Sequence, residues 1–160
     1  MITLYHGSNV AIDAIDLSMG MKDKDFGKGF YLTDIRSQAE EMAKRRTRIV
    51  GAGTPTVTEF SFDESLLTSD ELNVKIFPDE PTVEWAKFID ANRHSSKTGF
   101  THNYDIIVGP VADDGVAFQL ERFHERLIDD ETLARELTYK KLNRQYFFGT
   151  EKAISKLKRL

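Results

Sequence analysis

The order in which strand and helix patterns follow one another constrains this chain more than any single residue does. Alternating apolar and polar side chains at residues 57–62 predict a strand, and the apolar run at 104–110 is the clearest indication of a buried strand. Predicted helices separate only some of the strands, so the pattern does not favour a doubly wound parallel sheet. The sequence therefore predicts an α+β fold, in which helices surround a split antiparallel sheet.

The remaining predicted elements follow from the same periodicities and from cap and breaker residues. We predict strands at residues 2–6, 29–33, 57–62, 104–110 and 143–148. We predict helices from Asp34 or Ser37 to Arg48, over residues 80–93, 115–127 and 130–142, and from a Thr150 cap into the C-terminal residues with Ala153, Ile154 and Leu157 inward. Adjacent carboxylates such as Asp113 and Asp114 can act as acid and base, but a turn and a helix cap explain them more simply.

Composition limits the class of protein. A chain of 160 residues fits one domain, spanning residues 1–160, and can bury a core large enough to fold without a metal. With no cysteine, disulfides, thiol catalysis and zinc–thiolate sites are excluded. The net charge of −4 argues against a general nucleic-acid coat. No segment resembles a signal peptide or a membrane span, so we expect a cytoplasmic protein without membrane contact.

The first motif that bears on function is the run from Leu4 to Ser8, at the end of the first predicted strand. His6 can bond a ribose hydroxyl, the backbone of Gly7 can approach a carboxamide because glycine has no Cβ, and Ser8 adds a hydroxyl. Taken alone, a core histidine bonded to a carbonyl beside a turn glycine is the more common arrangement.

The second motif runs from Phe26 to Thr33 and places two glycines before a strand that carries Tyr31. Gly27 and Gly29 allow a close backbone approach, and the ring of Tyr31 can present its face to a ligand. A glycine turn that leads to a core tyrosine fits the same residues. The spacing is neither a Rossmann dinucleotide fingerprint nor a phosphate-binding P-loop.

Together these motifs resemble the catalytic domain of the poly(ADP-ribose) polymerases and of related diphtheria-toxin-type ADP-ribosyltransferases. The rest of the chain is similar to a bacterial family of small ADP-ribosyltransferase-like proteins. That similarity lies in the Trp85 to Arg93 helix, in residues 104–114 and in the Gln145-x-x-Phe148-x-Thr150 segment. The polymerase-like motifs cover the first quarter of the chain, and the wider similarity covers nearly all of it.

The resemblance implies a role for each motif residue, with NAD as the ADP-ribose donor and no metal. Catalytic roles fall on His6, Tyr31 and Gln145. His6 would bond the ribose, Gly7 would hold the nicotinamide carboxamide, Tyr31 would stack on the nicotinamide ring, and Gln145 would bond the 2′-hydroxyl. Ser8 and Gly29 complete the cofactor-binding set.

Glutamine at the third position departs from the glutamate of the polymerases. Because an amide cannot take a proton near neutral pH, Gln145 cannot act as a general base, and elongation of an ADP-ribose chain is not expected. The expected activity is single transfer to a protein or nucleic acid. The resemblance also suggests the toxin of a bacterial toxin–antitoxin pair, with an antitoxin protein as its partner. A non-catalytic NAD- or ADP-ribose-binding regulatory module and an interaction domain with a vacant cleft are the alternatives.

Two basic features each fit a functional and a structural interpretation. The cluster at residues 44–48, with Lys44, Arg45, Arg46 and Arg48, can meet a pyrophosphate or a nucleic-acid acceptor. The solvated end of a helix explains it equally. Arg93 is a candidate for pyrophosphate binding or for a structural ion pair.

Overall fold

The computed structural model describes residues 1–138, 140 and 142–160. Its strands are β1 (Ile2–Ser8), β2 (Phe30–Leu32), β3 (Thr56–Phe62), β4 (Val74–Ile76), β5 (Ile106–Pro110), β6 (Arg144–Phe148) and β7 (Lys158–Arg159). Its helices are α1 (Arg36–Val50), α2 (Val83–Arg93), α3 (Ser95–Thr98), α4 (Asp114–His124), α5 (Asp130–Leu137) and α6 (Glu151–Ile154). Short 3₁₀ turns lie at Leu17–Met19 and Glu64–Thr68. These elements confirm the α+β class.

The strands form two sheets that meet at one point. The first sheet has the order β1-β3-β7, and the second has the order β2-β6-β5-β4. An isolated antiparallel bridge between Tyr5 and Thr33 links β1 to β2. The sheets are therefore continuous for one residue pair and then diverge between β1 and β2. The prediction of an antiparallel sheet is wrong at one edge, because β4 runs parallel to β5.

Each face of the second sheet buries its own apolar cluster. Ile107 and Phe147 point to one face, where they pack with Trp85 of α2, Leu120 of α4 and Leu133 of α5. Residues of opposite parity point to the other face and pack against the first sheet. They are Ile106, Val108, Tyr146 and Phe148, and their partners include Leu4, Phe60 and Phe62. Both faces of β5 and β6 are covered, which explains why these strands appear in the sequence as apolar runs without alternation.

Helix α1 packs on β1 through its smallest side chains. Ala39 and Ala43 are each 1% exposed and face Gly7. A Cβ on Gly7 would overlap the carbonyl oxygen of Ala39 and would lie 2.8 Å from the backbone nitrogen of Ala43. The helix therefore approaches the strand closely only because residue 7 is glycine. The neighbouring Met42 is 55% exposed and does not take part in this contact.

Several predicted helix boundaries are wrong. Neither Asp34 nor Ser37 caps α1, since Ile35 occupies the cap position and no side chain caps the helix. The final helix ends at Ile154, and the chain returns as β7 to pair with β3. The helix predicted over 130–142 ends at Leu137, and the part of that prediction that includes residues 139 and 141 lies outside the described residues.

The predicted caps of two other helices are confirmed. The side chain of Asp113 accepts a hydrogen bond from the Val116 N–H at the start of α4. Thr150 accepts one from the Ala153 N–H at the start of α6. Within the described part of the chain, no helix has both the length and the apolar character that crossing a bilayer requires.

Candidate functional site at the split between the sheets

The three predicted catalytic residues lie on three strands that are neighbours around the split. His6 is on β1, Tyr31 is on β2 and Gln145 is on β6. Tyr31 is the cross-strand partner of Phe147, and Gln145 lies two residues from Phe147. Because alternate residues of a strand share a face, Tyr31 and Gln145 lie on the same face of the second sheet.

His6 is attached to the backbone of β2. Its Nδ1–H donates a hydrogen bond to the carbonyl oxygen of Tyr31 at 2.7 Å. Its ring stacks on Phe30 with the centroids 4.3 Å apart. Burial lowers the pKa of His6, an effect that the bond to Tyr31 only partly offsets. A neutral imidazole with its proton on Nδ1 keeps a lone pair on Nε2, so His6 offers a hydrogen-bond acceptor.

The lowered pKa of His6 predicts that the stability of the fold depends on pH. We expect the chain to lose stability as the pH falls from 7 towards 5, and we expect His6→Gln to reduce that loss. Burial holds the pKa of His6 below its ordinary value of 6.5. The unfolded chain therefore takes up this proton at a higher pH than the folded chain does. The contribution of His6 is complete above the ordinary pKa and is lost as the pH falls through the lowered one.

Urea midpoints of the two chains at several pH values between 5 and 8 measure this effect. The other histidines are the same in both chains, so the difference between the two profiles isolates His6. Parallel profiles would show that folding does not change the protonation of His6.

Gly7 directs its backbone towards the split. The backbone N–H of Tyr5 donates to the carbonyl oxygen of Thr33 at 2.8 Å, and the N–H of Thr33 donates to the carbonyl oxygen of Tyr5 at 3.0 Å. The backbone N–H and C=O of Tyr5 therefore point away from β3. Backbone groups alternate between the two edges of a strand, and Gly7 therefore faces the same edge as Tyr5. Among the described residues, Gly7 makes no backbone hydrogen bond across that edge. Its donor and acceptor lie beside His6, on the side of β2.

Ser8 and Gly29 have local structural partners. The hydroxyl of Ser8 donates to Oδ1 of Asn9 at 3.2 Å. A Cβ on Gly29 would overlap the ring of Phe147. Glycine at position 29 therefore lets the chain cross over that ring as it enters β2.

Tyr31 holds the loop before its own strand. Its hydroxyl donates to the carbonyl oxygen of Gly27 at 2.6 Å and accepts from the Phe26 N–H at 3.0 Å. Its ring meets Phe147 in an edge-to-face contact with centroids 5.2 Å apart. Burial raises the pKa of the Tyr31 phenol, which is therefore a neutral group at any physiological pH. The partly buried ring can act by packing or stacking and cannot act as a phenolate base.

Gln145 belongs to a polar network that the sequence did not reveal. Its Nε2 lies 3.3 Å from Oδ2 of Asp25 and 3.3 Å from the carbonyl oxygen of Pro110. Both partners are acceptors, so the amide NH₂ must face them and Oε1 is directed elsewhere. Asp25 in turn pairs with Arg93 of α2 at 2.7 Å, with side chains 15% and 26% exposed.

Asp25 is the residue of this network that sequence reasoning missed. It directly precedes the Phe26 to Thr33 motif, but an aspartate in a loop has no distinguishing signal. The ion-pair interpretation of Arg93 is confirmed by its contact with Asp25. The residues of the basic cluster, Lys44, Arg45, Arg46 and Arg48, are exposed on α1, as a solvated helix end would be.

A cavity of about 510 Å³ is lined in part by Gly27. Its lining includes Lys28, Asn92, His102 and Phe147, the residue on which Tyr31 packs. Nε2 of His102 donates to the carbonyl oxygen of Phe26 at 2.6 Å, so this imidazole supports the same loop as Tyr31. The volume falls within the range of small-molecule sites.

Comparison with known proteins identifies the family. The model of the family described as "Protein of unknown function (DUF3990)" matches residues 2–159. The chain belongs to the DUF3990 family. The match spans both sheets of this DUF3990 protein, including every predicted site residue. No curated protein and no solved structure matches the chain.

Proposed function

We propose that this DUF3990 protein is an NAD-dependent ADP-ribosyltransferase that transfers single ADP-ribose units to a protein or nucleic acid. The observation that carries the proposal is the backbone of Gly7, which directs one donor and one acceptor to the split beside His6. A nicotinamide carboxamide carries one acceptor and one donor group, and it complements such a pair. The sequence resemblance assigns the same role to the same glycine.

Two side chains of the three neighbouring strands offer the acceptors that a ribose needs. His6 presents Nε2 because its Nδ1 is bonded to the Tyr31 carbonyl. Gln145 presents Oε1 because its NH₂ is bonded to Asp25 and Pro110. A ribose hydroxyl can donate to either acceptor, and such a bond would orient the sugar while its glycosidic bond breaks. We further propose that the split sheet corresponds to the ADP-ribosyltransferase-like fold.

The proposed reaction is a substitution at the anomeric carbon of NAD. The C1′–N bond breaks and its electron pair passes to the pyridinium ring, so neutral nicotinamide leaves and C1′ acquires oxocarbenium character. An acceptor nucleophile bonds to C1′ and releases its proton to solvent. Since Gln145 cannot take that proton, an unhindered acceptor or one that ionises readily is favoured.

The network around Gln145 also supports a second candidate, a non-catalytic NAD- or ADP-ribose-binding regulatory module. Asp25 and Pro110 hold the Gln145 amide in a fixed orientation, in which it can bind a ribose without catalysing a reaction. The two candidates differ in one product. The transferase releases nicotinamide, whereas the binding module is stabilised by NAD and releases none.

Incubation with NAD labelled in its adenylate phosphate, with cell extract as the source of acceptors, tests the transferase. We expect label in macromolecules together with free nicotinamide. His6→Ala should lower both by at least about tenfold, because it removes a ribose acceptor.

Thr58→Val is the matched control for His6→Ala. Thr58 pairs with His6 across β1 and β3, and its Oγ1 accepts a bond from the Ile12 N–H at 3.0 Å. The control therefore loses a side-chain-to-backbone bond in the same sheet and keeps the imidazole. We expect it to retain most of the transfer. Unchanged activity in His6→Ala overturns the proposed role of His6. If the unsubstituted chain shows neither turnover of NAD nor stabilisation by NAD, both candidates are overturned.

A further inference from the structure

We propose that Asp90, His94 and His124 form a binding site for a divalent transition metal ion of the zinc class. One possible ligand atom from each residue lies within 4.8 Å of those of the other two. Asp90 and His94 are four residues apart at the end of α2, and His124 is the last residue of α4. The inference does not depend on ADP-ribosyl transfer.

One distance already matches coordination. Nδ1 of His124 lies 3.2 Å from Oδ2 of Asp90. Two ligand atoms at about 2.0–2.1 Å from a tetrahedral zinc ion are separated by a similar distance. Glu121, whose Oε1 is 3.8 Å from Nε2 of His94, offers another oxygen on the same side.

The carboxylate of Asp90 also favours a bound cation. Oδ1 of Asp90 is buried and has no hydrogen-bond partner among the described residues. A buried carboxylate oxygen without a donor is costly, because it has lost its water without replacement. A bound cation would satisfy it.

The helix ends also favour a positive ion here. α2 and α4 both end at this cluster, and the carbonyl end of a helix carries partial negative charge. Nδ1 of His94 lies 2.9 Å from the backbone carbonyl oxygen of Asp90, a contact that orients the ring and leaves Nε2 as its ligand atom. Contacts of this kind are what orient metal-binding histidines in proteins.

The two imidazoles lie face to face. Their rings are stacked with centroids 3.4 Å apart and planes within 5° of parallel. A metal ion binds the neutral form of imidazole. Coordination requires the rings to turn out of the parallel stack so that their lone pairs converge.

The cluster is reachable from solvent. Asp90 and His124 line an open cleft of about 970 Å³ together with Phe123, Arg126 and Asp129. The side chains of Asp90, His94 and His124 are 17%, 15% and 38% exposed. Imidazole with carboxylate suits zinc, copper, nickel or iron, whereas magnesium and calcium prefer oxygen ligands alone.

Titration of the chelator-treated full chain with Zn²⁺ tests the proposal by calorimetry and thermal unfolding. We expect one ion per chain and a higher melting temperature, with no comparable effect of Mg²⁺. His94→Gln and His124→Gln should each weaken Zn²⁺ binding by at least about tenfold. His102→Gln is the control, because His102 is bonded to Phe26 elsewhere in the molecule, and it should keep the affinity.

Co²⁺ added to the unsubstituted chain gives a test that needs no variant. Visible d–d bands of nitrogen and oxygen ligation, abolished by excess Zn²⁺, are expected. The proposal is overturned if the chain binds neither ion saturably. It is also overturned if the doubly substituted His94→Gln, His124→Gln chain is folded and binds Zn²⁺ as tightly as the unsubstituted one.

Discussion

Replacing Gly7 by alanine is expected to lower the free energy of unfolding by about 3 kcal/mol, at the upper end of the usual cost of overpacking. The added Cβ would overlap the carbonyl oxygen of Ala39 and would crowd the Ala43 nitrogen. Both are backbone atoms of α1, so no side-chain rotation can relieve the contact. The helix must move away from β1, and the burial of Ala39 and Ala43 is lost with it.

Gly51→Ala is the matched control for Gly7→Ala. Gly51 has a φ of 73° and nothing within 4 Å of an added Cβ, so its substitution costs only backbone strain, about 1–2 kcal/mol. The two variants separate steric overlap from conformational strain. Thermal unfolding measures both, and we expect Gly7→Ala to show the larger fall in melting temperature. Equal effects would mean that a Cβ at residue 7 does not overlap the backbone of α1.

Replacing Gln145 by glutamate, the residue of the polymerases at this position, is expected to destabilise the chain by about 2 kcal/mol at pH 7. The new carboxylate would face Oδ2 of Asp25 and the carbonyl oxygen of Pro110, where the amide now donates. Like charges and lost donors raise the pKa of the introduced acid. The acid must then either stay ionised at a cost or take up a proton on folding.

The sign of the pH dependence follows from that raised pKa. An acid whose pKa is higher in the folded than in the unfolded chain carries no penalty below its unfolded pKa, and it carries the full penalty above its folded pKa. The difference in stability between the unsubstituted chain and Gln145→Glu should therefore shrink as the pH falls from 7 towards 4. Urea unfolding at several pH values measures this difference.

Two further variants interpret the Gln145→Glu result. Gln145→Leu loses both hydrogen bonds without adding charge, so its penalty should not vary with pH. In the double variant Asp25→Asn, Gln145→Glu, the amide and the carboxylate of this hydrogen bond have changed places. It should therefore recover part of the stability that Gln145→Glu loses. A penalty of Gln145→Glu that does not change with pH would show that Asp25 and residue 145 are not coupled.

Periodicity in the sequence predicted the elements that bury a whole face. The prediction of a strand at 57–62 is confirmed by β3, and that at 143–148 is confirmed by β6, each within one residue at its ends. β4 was missed because Val74–Ile76 has only three residues, too few to show a period. β7 was missed because its two exposed residues form a strand only by pairing with β3.

The candidate site was only partly accessible from sequence. Motifs identified His6, Tyr31 and Gln145, and the fold places them on three neighbouring strands. The contacts that orient Gln145 come from Asp25 and Pro110, which are 120 and 35 residues away along the chain. The cluster of Asp90, His94 and His124 likewise depends on how α2 and α4 pack, which no local pattern encodes.

The sequence by itself determined the α+β class, most of the elements and the glycines at which chain segments can approach closely. These depend on local periodicity, on caps such as Asp113 and on the lack of a Cβ, and all of them act over a few residues. Only the tertiary structure decided where the sheets separate, which groups face Gln145 and which oxygen of Asp90 is left without a partner. Those outcomes depend on contacts between residues far apart in the chain. Such polar contacts affect stability strongly only because the groups are buried.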